Sequence, residues 1–306
     1  MKQVDLSVQI GKLKLRNPIM LASGTVGYGN EISEFTDLNN IGAIVTKSLS
    51  LKPRKGNPPQ RIVETPAGML NAIGLANVGV EVFLKEKIPF LKKYDVPLVC
   101  NIAASTIDEY VECTNILTSE ETIKAFEINV SCPNVKEGGL QFGNDVNAVG
   151  KVTEKIRAAT DKPVIIKLSP NVSYISEFAK VVKDEGGDAV SAINTLVGTS
   201  FNIFTKKPKL YNINGGLSGP AIKPIALAKV LEIKQKVPDI PIIGIGGIMN
   251  WKDVVEFMIV GASAVQLGTL NFIDPSASAE ILKNLEEHCV NSGIDKLSDL
   301  TGSYII

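Results

Sequence analysis

An excess of charge of either sign is missing from this sequence, because 32 lysines and arginines balance 32 aspartates and glutamates. Without a basic surplus, the chain has no electrostatic basis for binding nucleic acid or an anionic membrane surface. No apolar run approaches the roughly 18 residues that a membrane-spanning helix needs. Residues 1–5 also lack an apolar stretch of the signal-peptide type. We therefore expect a cytoplasmic protein with neither a nucleic-acid partner nor a membrane partner.

Histidine and cysteine are scarce. The one histidine, His288, lies in a segment typical of a late surface helix, which excludes a histidine-rich metal site and disfavours a Ser-His-Asp triad. The cysteines at positions 100, 113, 132 and 289 form no C-x-x-C pair, which argues against zinc or an iron–sulfur cluster held by this chain alone. We expect no metal site, and scattered thiols in a large chain indicate a reducing compartment.

The sequence does contain eight short apolar, β-branched runs, most of them separated by amphipathic stretches. The runs are 18–21, 43–46, 97–100, 126–129, 164–167, 189–193, 240–244 and 262–266, and the clearest amphipathic stretches are 146–159, 175–185, 222–237 and 251–260. Strand–helix alternation repeated eight times predicts parallel strands with right-handed crossovers. We predict an α/β fold in which residues 1–306 form a single (β/α)8 TIM-barrel domain. An open doubly wound sheet is the alternative.

The connections between the runs indicate where the barrel would bind a ligand. Residues 4–8 and 13–15 alternate around Gly11, which predicts a small hairpin that covers the barrel bottom. The connections 48–74, 131–144 and 195–220 are long, and each of them follows a predicted strand. They are therefore expected on the carboxyl-terminal face, where barrel enzymes keep their active sites.

Each predicted strand ends in or just before a polar residue or a glycine. These ends are Ala22-Ser23-Gly24, Lys47-Ser48, Asn101, Asn129, Lys167, Asn194-Thr195, Gly246-Gly247 and Gly268-Thr269. Lysine and asparagine at the ends of consecutive apolar strands favour a ligand site over a chain that is merely leaving the core. The glycines after strands seven and eight, with Gly219 nearby, predict a phosphate site.

The remaining strand ends suit a planar, polar heterocycle. Asparagine presents a donor and an acceptor side by side, and Lys47 and Lys167 could stabilise negative charge on a reduced flavin ring. Cys132 follows strand four on a glycine-rich connection and is a candidate general base if the pKa of its thiol is tuned. The other three cysteines are interpreted as small buried side chains.

Residues 129–136 (NVSCPNVK) resemble the active-site loop of the family 1 dihydroorotate dehydrogenases. Further matches to this family run in order along nearly the whole chain, at 22–24, 46–48, 56–58, 69–75, 193–195, 215–220 and 246–247. The segments 71–77 and 132–142 are most similar to the NAD-linked class 1B. The membrane-bound class has a serine base and an N-terminal extension, and neither is expected here.

The resemblance implies FMN as the cofactor and oxidation of dihydroorotate to orotate in de novo pyrimidine biosynthesis. It implies that Cys132 takes a proton from C5 while the hydride from C6 passes to flavin N5, with Lys167 at the flavin N1–C2=O edge. Substrate binding is implied for Lys47, Asn71, Ala72, Ile73, Gly74, Leu75, Asn129, Asn194 and Thr195. FMN binding is implied for Ala22, Ser23, Gly24, Lys47, Ser48, Asn101, Asn129, Lys167, Ile193, Gly219, Gly246, Gly247, Gly268 and Thr269.

Class 1B also implies an electron-transfer subunit that carries FAD and a [2Fe–2S] cluster and passes electrons to NAD, in an α2β2 assembly around a homodimer of this chain. Three alternatives stay open from the sequence. The chain could be a fumarate-linked dihydroorotate dehydrogenase or a flavin barrel acting on another dihydropyrimidine. It could be a lyase or aldolase barrel with Lys167 as a Schiff-base amine, or a barrel that binds without catalysis.

Overall fold

A computed structural model describes residues 4–131 and 142–305 of the chain. Eight parallel strands in it close into a barrel. The strands of the described ranges are β1 Val8–Ile10, β2 Leu13–Leu15, β3 Ile19–Leu21, β4 Ala43–Val45, β5 Ile62–Thr65, β6 Gly68–Asn71, β7 Leu98–Ile102, β8 Ile123–Asn129, β9 Val164–Lys167, β10 Ala189–Ala192, β11 Leu196–Thr199, β12 Asn214–Ser218, β13 Ile242–Ile245 and β14 Ala264–Leu267. The barrel strands follow one another in the closed order β3-β4-β7-β8-β9-β10-β13-β14, which confirms the predicted (β/α)8 barrel and rules out the open sheet.

Each of the eight predicted runs supplies one barrel strand. The run 164–167 matches β9 at both ends, and the other seven differ from their strands at one end or both. Seven of the eight strands are buried at every position, and apolar side chains dominate them. The largest shift is in β8, which begins at Ile123 rather than at residue 126. Its extra residues pair with β7, where the register shifts between Leu98 and Val99.

Helices cover the outside of the barrel. In the part of the chain that the structure describes they are α1 Gly79–Val82, α2 Ile88–Leu91, α3 Ile107–Thr118, α4 Val146–Ala159, α5 Ile175–Asp184, α6 Lys223–Lys236, α7 Trp251–Ile259, α8 Leu270–Ile273 and α9 Ala277–Ser292. The predicted helix 146–159 matches α4, whose start is capped by Asp145, because this carboxylate accepts from the backbone N–H groups of Asn147 and Ala148. Within these ranges, no helix is both long and apolar enough to cross a bilayer.

The N-terminal hairpin closes the bottom of the barrel. Its first strand begins at Val8, so the predicted strand 4–8 is wrong, because Asp5 bridges to Lys296 near the C-terminus instead. A Cβ placed on Gly11, in the hairpin turn, would lie 3.1 Å from the Cβ of Asp188. Asp188 immediately precedes β10, which places the turn at the amino ends of the barrel strands.

The long connections after β4 and β10 build a second sheet that the sequence did not predict. Strands β5 and β6 come from the first connection and β11 and β12 from the second. They pair in the antiparallel order β11-β12-β6-β5. We call this sheet the roof, because it lies over the carboxyl ends of the barrel strands. The third long connection falls largely in residues 132–141, outside the described part.

Candidate active site

A cavity of about 610 Å³ lies between the carboxyl ends of the barrel strands and the roof. The barrel strands and their following residues form its floor and walls. Ile62, Met69 and Val197 face it from the roof and give it an apolar side. A concave, partly apolar space with converging polar groups is the usual form of a small-molecule site.

The structure gathers almost all of the described residues in the predicted site around this one cavity. Those that line it are Ala22, Ser23, Gly24, Lys47, Ser48, Asn71, Ala72, Ile73, Gly74, Leu75, Asn129, Lys167, Ile193, Asn194, Thr195, Gly219, Gly246, Gly247, Gly268 and Thr269. Asn101 does not line it, because its fully buried side chain turns toward Glu127. The predicted base, Cys132, lies outside the described residues.

Asparagine side chains dominate the polar wall. Eight of them line the cavity: Asn57, Asn71, Asn129, Asn144, Asn171, Asn194, Asn212 and Asn214. The Nδ2 of Asn194 donates to the Oδ1 of Asn129 across 3.1 Å, and the same Oδ1 accepts from the backbone N–H of Ser131. These bonds fix the orientation of both amides, so the wall offers donors and acceptors at defined positions.

Glycines and hydroxyls form a cradle at the other end of the cavity, which we define as Ser218, Gly219, Gly246, Gly247, Gly268 and Thr269. A Cβ on Gly247 would lie 2.8 Å from the carbonyl oxygen of Gly219, and both residues have positive φ, of 70° and 99°. Only glycine fits such a contact without strain. The Thr269 hydroxyl donates to the Ser218 hydroxyl across 2.8 Å, which links the segment 268–269 to the segment 218–219.

The cradle precedes a helix. Gly219 precedes a 3₁₀ turn, Pro220–Ile222, that continues into the 14-residue helix α6. A helix N-terminus favours an anion through its unpaired N–H groups and its dipole. A Cβ on Gly268 would contact only the Ala22 Cβ, at 3.8 Å, so the cradle has open space above it. These features suit one phosphate group.

Two lysines place positive charge at the floor. Lys167 ends β9 and is only 7 % exposed, and its Nζ lies 3.7 Å from the Oε1 of Glu127. Lys47 follows β4 and is half-buried, with its backbone N–H held by the Gly27 carbonyl at 2.7 Å. Ammonium groups in a largely enclosed site favour a ligand that carries or develops negative charge.

Sequence reasoning missed two groups that shape this site. Glu127 is fully buried inside a strand run, and its signal was a charged residue in an otherwise apolar segment. Asn171 lies four residues past Lys167, where its Nδ2 donates to the carbonyl of Thr195 and its Oδ1 accepts from the N–H of Val197. It thereby ties together the connections after β9 and β10.

The described cysteines and the histidine take no part in the cavity. Burial raises the pKa of the Cys100 thiol to about 12 and that of Cys113 to about 12, so neither is a base at neutral pH. His288 packs against the Trp251 ring, with 4.9 Å between centroids, on the outer helices α9 and α7. Within residues 4–131 and 142–305, no group of three or more metal-ligating side chains occurs.

Comparison with known proteins gives one consistent result. Residues 5–289 match the family model described as dihydroorotate dehydrogenase. Proteins named "Dihydroorotate dehydrogenase B (NAD(+)), catalytic subunit" are similar along their whole length. The one from Geotalea daltonii is 51% identical over 303 residues, which is 99% of each chain. Those from Geotalea uraniireducens and Pelobacter propionicus are 50% identical over 305 residues and 52% identical over 299, covering 100% and 98% of each chain.

Proposed function

The chain belongs to the dihydroorotate dehydrogenase family, and we propose that it oxidises dihydroorotate to orotate, with FMN as cofactor, in de novo pyrimidine biosynthesis. The observation that carries the proposal is that the glycine cradle, the two lysines of the floor and the asparagines of the polar wall line one cavity. Each of these three parts matches one part of the reacting pair: the phosphate, the flavin ring and the pyrimidine.

Members of this family bind a flavin, and FMN is the form that suits this cavity. The described residues offer one glycine cradle, which matches the one phosphate of FMN. The cradle residues Gly219, Gly246 and Gly247, with Gly268 and Thr269, would hold that phosphate. Lys167 would lie at the N1–C2=O edge of the ring, and Ala22, Ser23, Gly24, Ser48 and Ile193 would line the rest.

The amide wall and Lys47 would bind the substrate. Dihydroorotate presents ring N–H and C=O groups and one carboxylate, and asparagine amides match the former while an ammonium matches the latter. Asn71, Asn129 and Asn194 would orient the ring, with Thr195 beside them. Residues 72–75, which line the cavity next to the roof, would enclose it and exclude water.

The reaction needs a proton acceptor and a hydride acceptor. FMN, when bound, supplies the two-electron acceptor for the hydride that leaves C6 of dihydroorotate. Cys132, as the thiolate, would take the proton from C5, so that the substrate loses one proton and one hydride and gains the C5–C6 double bond. Lys167 would stabilise the negative charge that reduction brings to the N1–C2=O edge.

Electrons must then leave the protein. The sequence holds no cysteine cluster for an iron–sulfur centre and no G-x-G-x-x-G fingerprint for NAD. The relatives named above are catalytic subunits of NAD(+)-linked enzymes. We therefore propose a partner subunit with FAD and a [2Fe–2S] cluster, and an α2β2 complex built on a homodimer of this chain.

The proposal is tested on the purified chain. We expect a yellow protein that releases FMN on denaturation and whose flavin is bleached by dihydroorotate without oxygen. A dye should then accept the electrons, whereas NAD should accept them rapidly only after the partner subunit is added. Rapid fumarate reduction would instead assign the fumarate-linked reaction. A colourless protein that borohydride inactivates irreversibly in the presence of substrate would replace the proposal with the Schiff-base barrel.

A further inference from the structure

A buried carboxylate lies inside the barrel, beneath the cavity floor. Glu127 on β8 is fully buried, and side chains from three other strands donate to it. The Nδ2 of Asn101 lies 2.6 Å from its Oε1, and the Oγ of Ser191 and the Nε2 of Gln266 lie 2.9 Å and 2.6 Å from its Oε2. Its partner of opposite charge is Lys167, at 3.7 Å. Only the lysine among these groups lines the cavity.

Two amide groups and one hydroxyl donate to the carboxyl group of Glu127. Amide NH₂ groups can only donate, so both oxygens of the carboxyl group act as acceptors. This orientation of the two amide groups costs free energy, because the Oδ1 of Asn101 and the Oε1 of Gln266 are left without hydrogen-bond partners in the described part of the chain. In both amides the NH₂ group donates to the carboxylate while the amide oxygen stays unpaired, as expected around a buried negative charge.

Strand register explains why the carboxylate and the ammonium meet. Residue 127 pairs with 165, and residue 129 pairs with 167, in the parallel ladder of β8 and β9. Residues two apart on a strand face the same side. Glu127 and Lys167 therefore lie diagonally on the inner face of the barrel, with the lysine one step closer to the cavity. A lysine stem has four rotatable bonds, and the anion below limits where its Nζ can go.

We infer that Glu127 is a positioning residue for Lys167: it holds the ammonium at the cavity floor and thereby sets FMN affinity and the stability of the reduced cofactor. The inference rests on the proposed function. It also assigns Asn101 a role other than contact with the flavin, since its amide donates a hydrogen bond to the carboxylate of Glu127. A purely structural role, in which the network only fixes the packing of the barrel core, would affect folding but not the redox potential of bound FMN.

The test compares Glu127→Gln, Lys167→Met and the double variant. Apoprotein is titrated with FMN, and the midpoint potential of the bound flavin is measured. We expect Glu127→Gln to weaken FMN binding by about tenfold, the equivalent of about 1.4 kcal/mol, and to shift the potential downward, because the ammonium leaves the floor. In the Lys167→Met background the same change should have little further effect on either quantity, because the residue through which it acts is gone.

Several results would overturn the inference. They are an unchanged FMN affinity and potential in Glu127→Gln, an effect that persists fully without Lys167, or an upward shift of the potential, which would mean that the carboxylate acts on the flavin by its own charge. Asp239→Asn is the matched control, because it removes a carboxylate from an exposed ion pair with Lys183. It should change neither quantity.

Two further measurements keep the test decisive. Thermal unfolding of each apoprotein shows whether it folds. If Glu127→Gln does not, Glu127→Asp replaces it: this variant keeps the charge but draws the carboxylate back by one methylene, and it should shift the potential in the same direction. An unshifted Glu127→Asp would then refute the inference. A wild-type apoprotein that binds no FMN would refute the proposed function itself, whereas normal wild-type binding with unaffected variants refutes only the role of Glu127.

Discussion

The side chains of Asn194 and Asn129 join the ends of β10 and β8 across the mouth of the barrel, through a hydrogen bond of 3.1 Å. Asn194 is held in turn by its own neighbour, because its Oδ1 accepts from the backbone N–H of Thr195 at 2.8 Å. A substrate amide that meets this pair therefore finds groups whose orientation is already fixed, and part of the entropy cost of binding has been met during folding.

Asn194→Ala should weaken substrate binding more than cofactor binding. The change removes one amide from the wall and one donor from Asn129, and a lost hydrogen bond of this kind is equivalent to about a tenfold change in affinity. We expect the KM for dihydroorotate to rise by about that factor while the FMN content stays full. Asn202→Ala is the control, since Asn202 lies on the same connection but outside the cavity. Equal effects of both variants would contradict the assignment.

Binding experiments should distinguish the roles of the two lysines at the cavity floor. Lys47 is proposed to contact both substrate and flavin, whereas Lys167 is proposed to contact flavin alone. Lys47→Ala should therefore weaken orotate binding and slow flavin reduction, and Lys167→Ala should mainly weaken FMN retention or lower the flavin potential. Orotate titration followed by flavin absorbance distinguishes them. If orotate affinity fell only in Lys167→Ala, the two roles would be exchanged.

Gly247→Ala should remove FMN by closing the phosphate cradle. The new Cβ would lie 2.8 Å from the Gly219 carbonyl oxygen, on a backbone with φ of 70°. Gly293→Ala carries similar backbone strain, with φ of 69° at the end of α9, but its Cβ would meet nothing within 4 Å. Both variants should lose about 1 kcal/mol of stability through that strain, and only Gly247→Ala should lose FMN as well. Full FMN content in Gly247→Ala would exclude the cradle.

Cys132→Ala should leave binding intact and slow the chemistry. A thiolate that only accepts a proton is not an anchor, so FMN and orotate should bind normally, while reduction by dihydroorotate slows by roughly 10²–10⁴. Stopped-flow absorbance measures this step directly. Cys132→Ser should recover partly as pH rises, because a hydroxyl is harder to deprotonate. Cys289→Ala, on α9 away from the cavity, should reduce at the normal rate, and normal reduction in Cys132→Ala would remove the thiol from the mechanism.

The barrel could be predicted because its strands carry a strong local signal. A parallel strand covered on both faces is an almost unbroken apolar run, as in Val164–Lys167 or Ile242–Ile245. The roof lacks that signal. Strands β5 and β11 alternate between half-buried and exposed positions, and β12 contains Gly215 and Gly216, which weaken a strand pattern. Their pairing depends on two distant connections meeting, which no local pattern indicates.

The residues of the site were likewise predictable only in part. Lys167 and Asn129 could be recognised because they end their strands, and the ends of parallel strands meet on one face. Glu127 could not be assigned, since its inward direction depends on the barrel register rather than on its neighbours in sequence. Asn101 illustrates the same limit. It follows the register shift at Leu98 and Val99, and its side chain turns into the barrel toward Glu127 instead of into the cavity.

Cys100 should make the protein less stable in alkali. Burial raises the pKa of its thiol to about 12 in the folded state, against about 8.5 for an exposed thiol. Between these values the unfolded chain loses the proton while the folded chain keeps it. The free energy of unfolding should therefore be unaffected below about pH 8.5 and fall above it, by up to about 1.4 kcal/mol per pH unit for this thiol.

Urea unfolding of the holoprotein from pH 8 to 10 measures that slope. Cys100→Ala should make the slope shallower but not abolish it, because the buried Cys113 thiol has the same raised pKa of about 12, and it should also lower stability overall. Ile102→Val, which trims the same buried strand without touching a thiol, should lower stability and keep the slope. The same slope in Cys100→Ala and wild type would show that another group governs the alkaline loss.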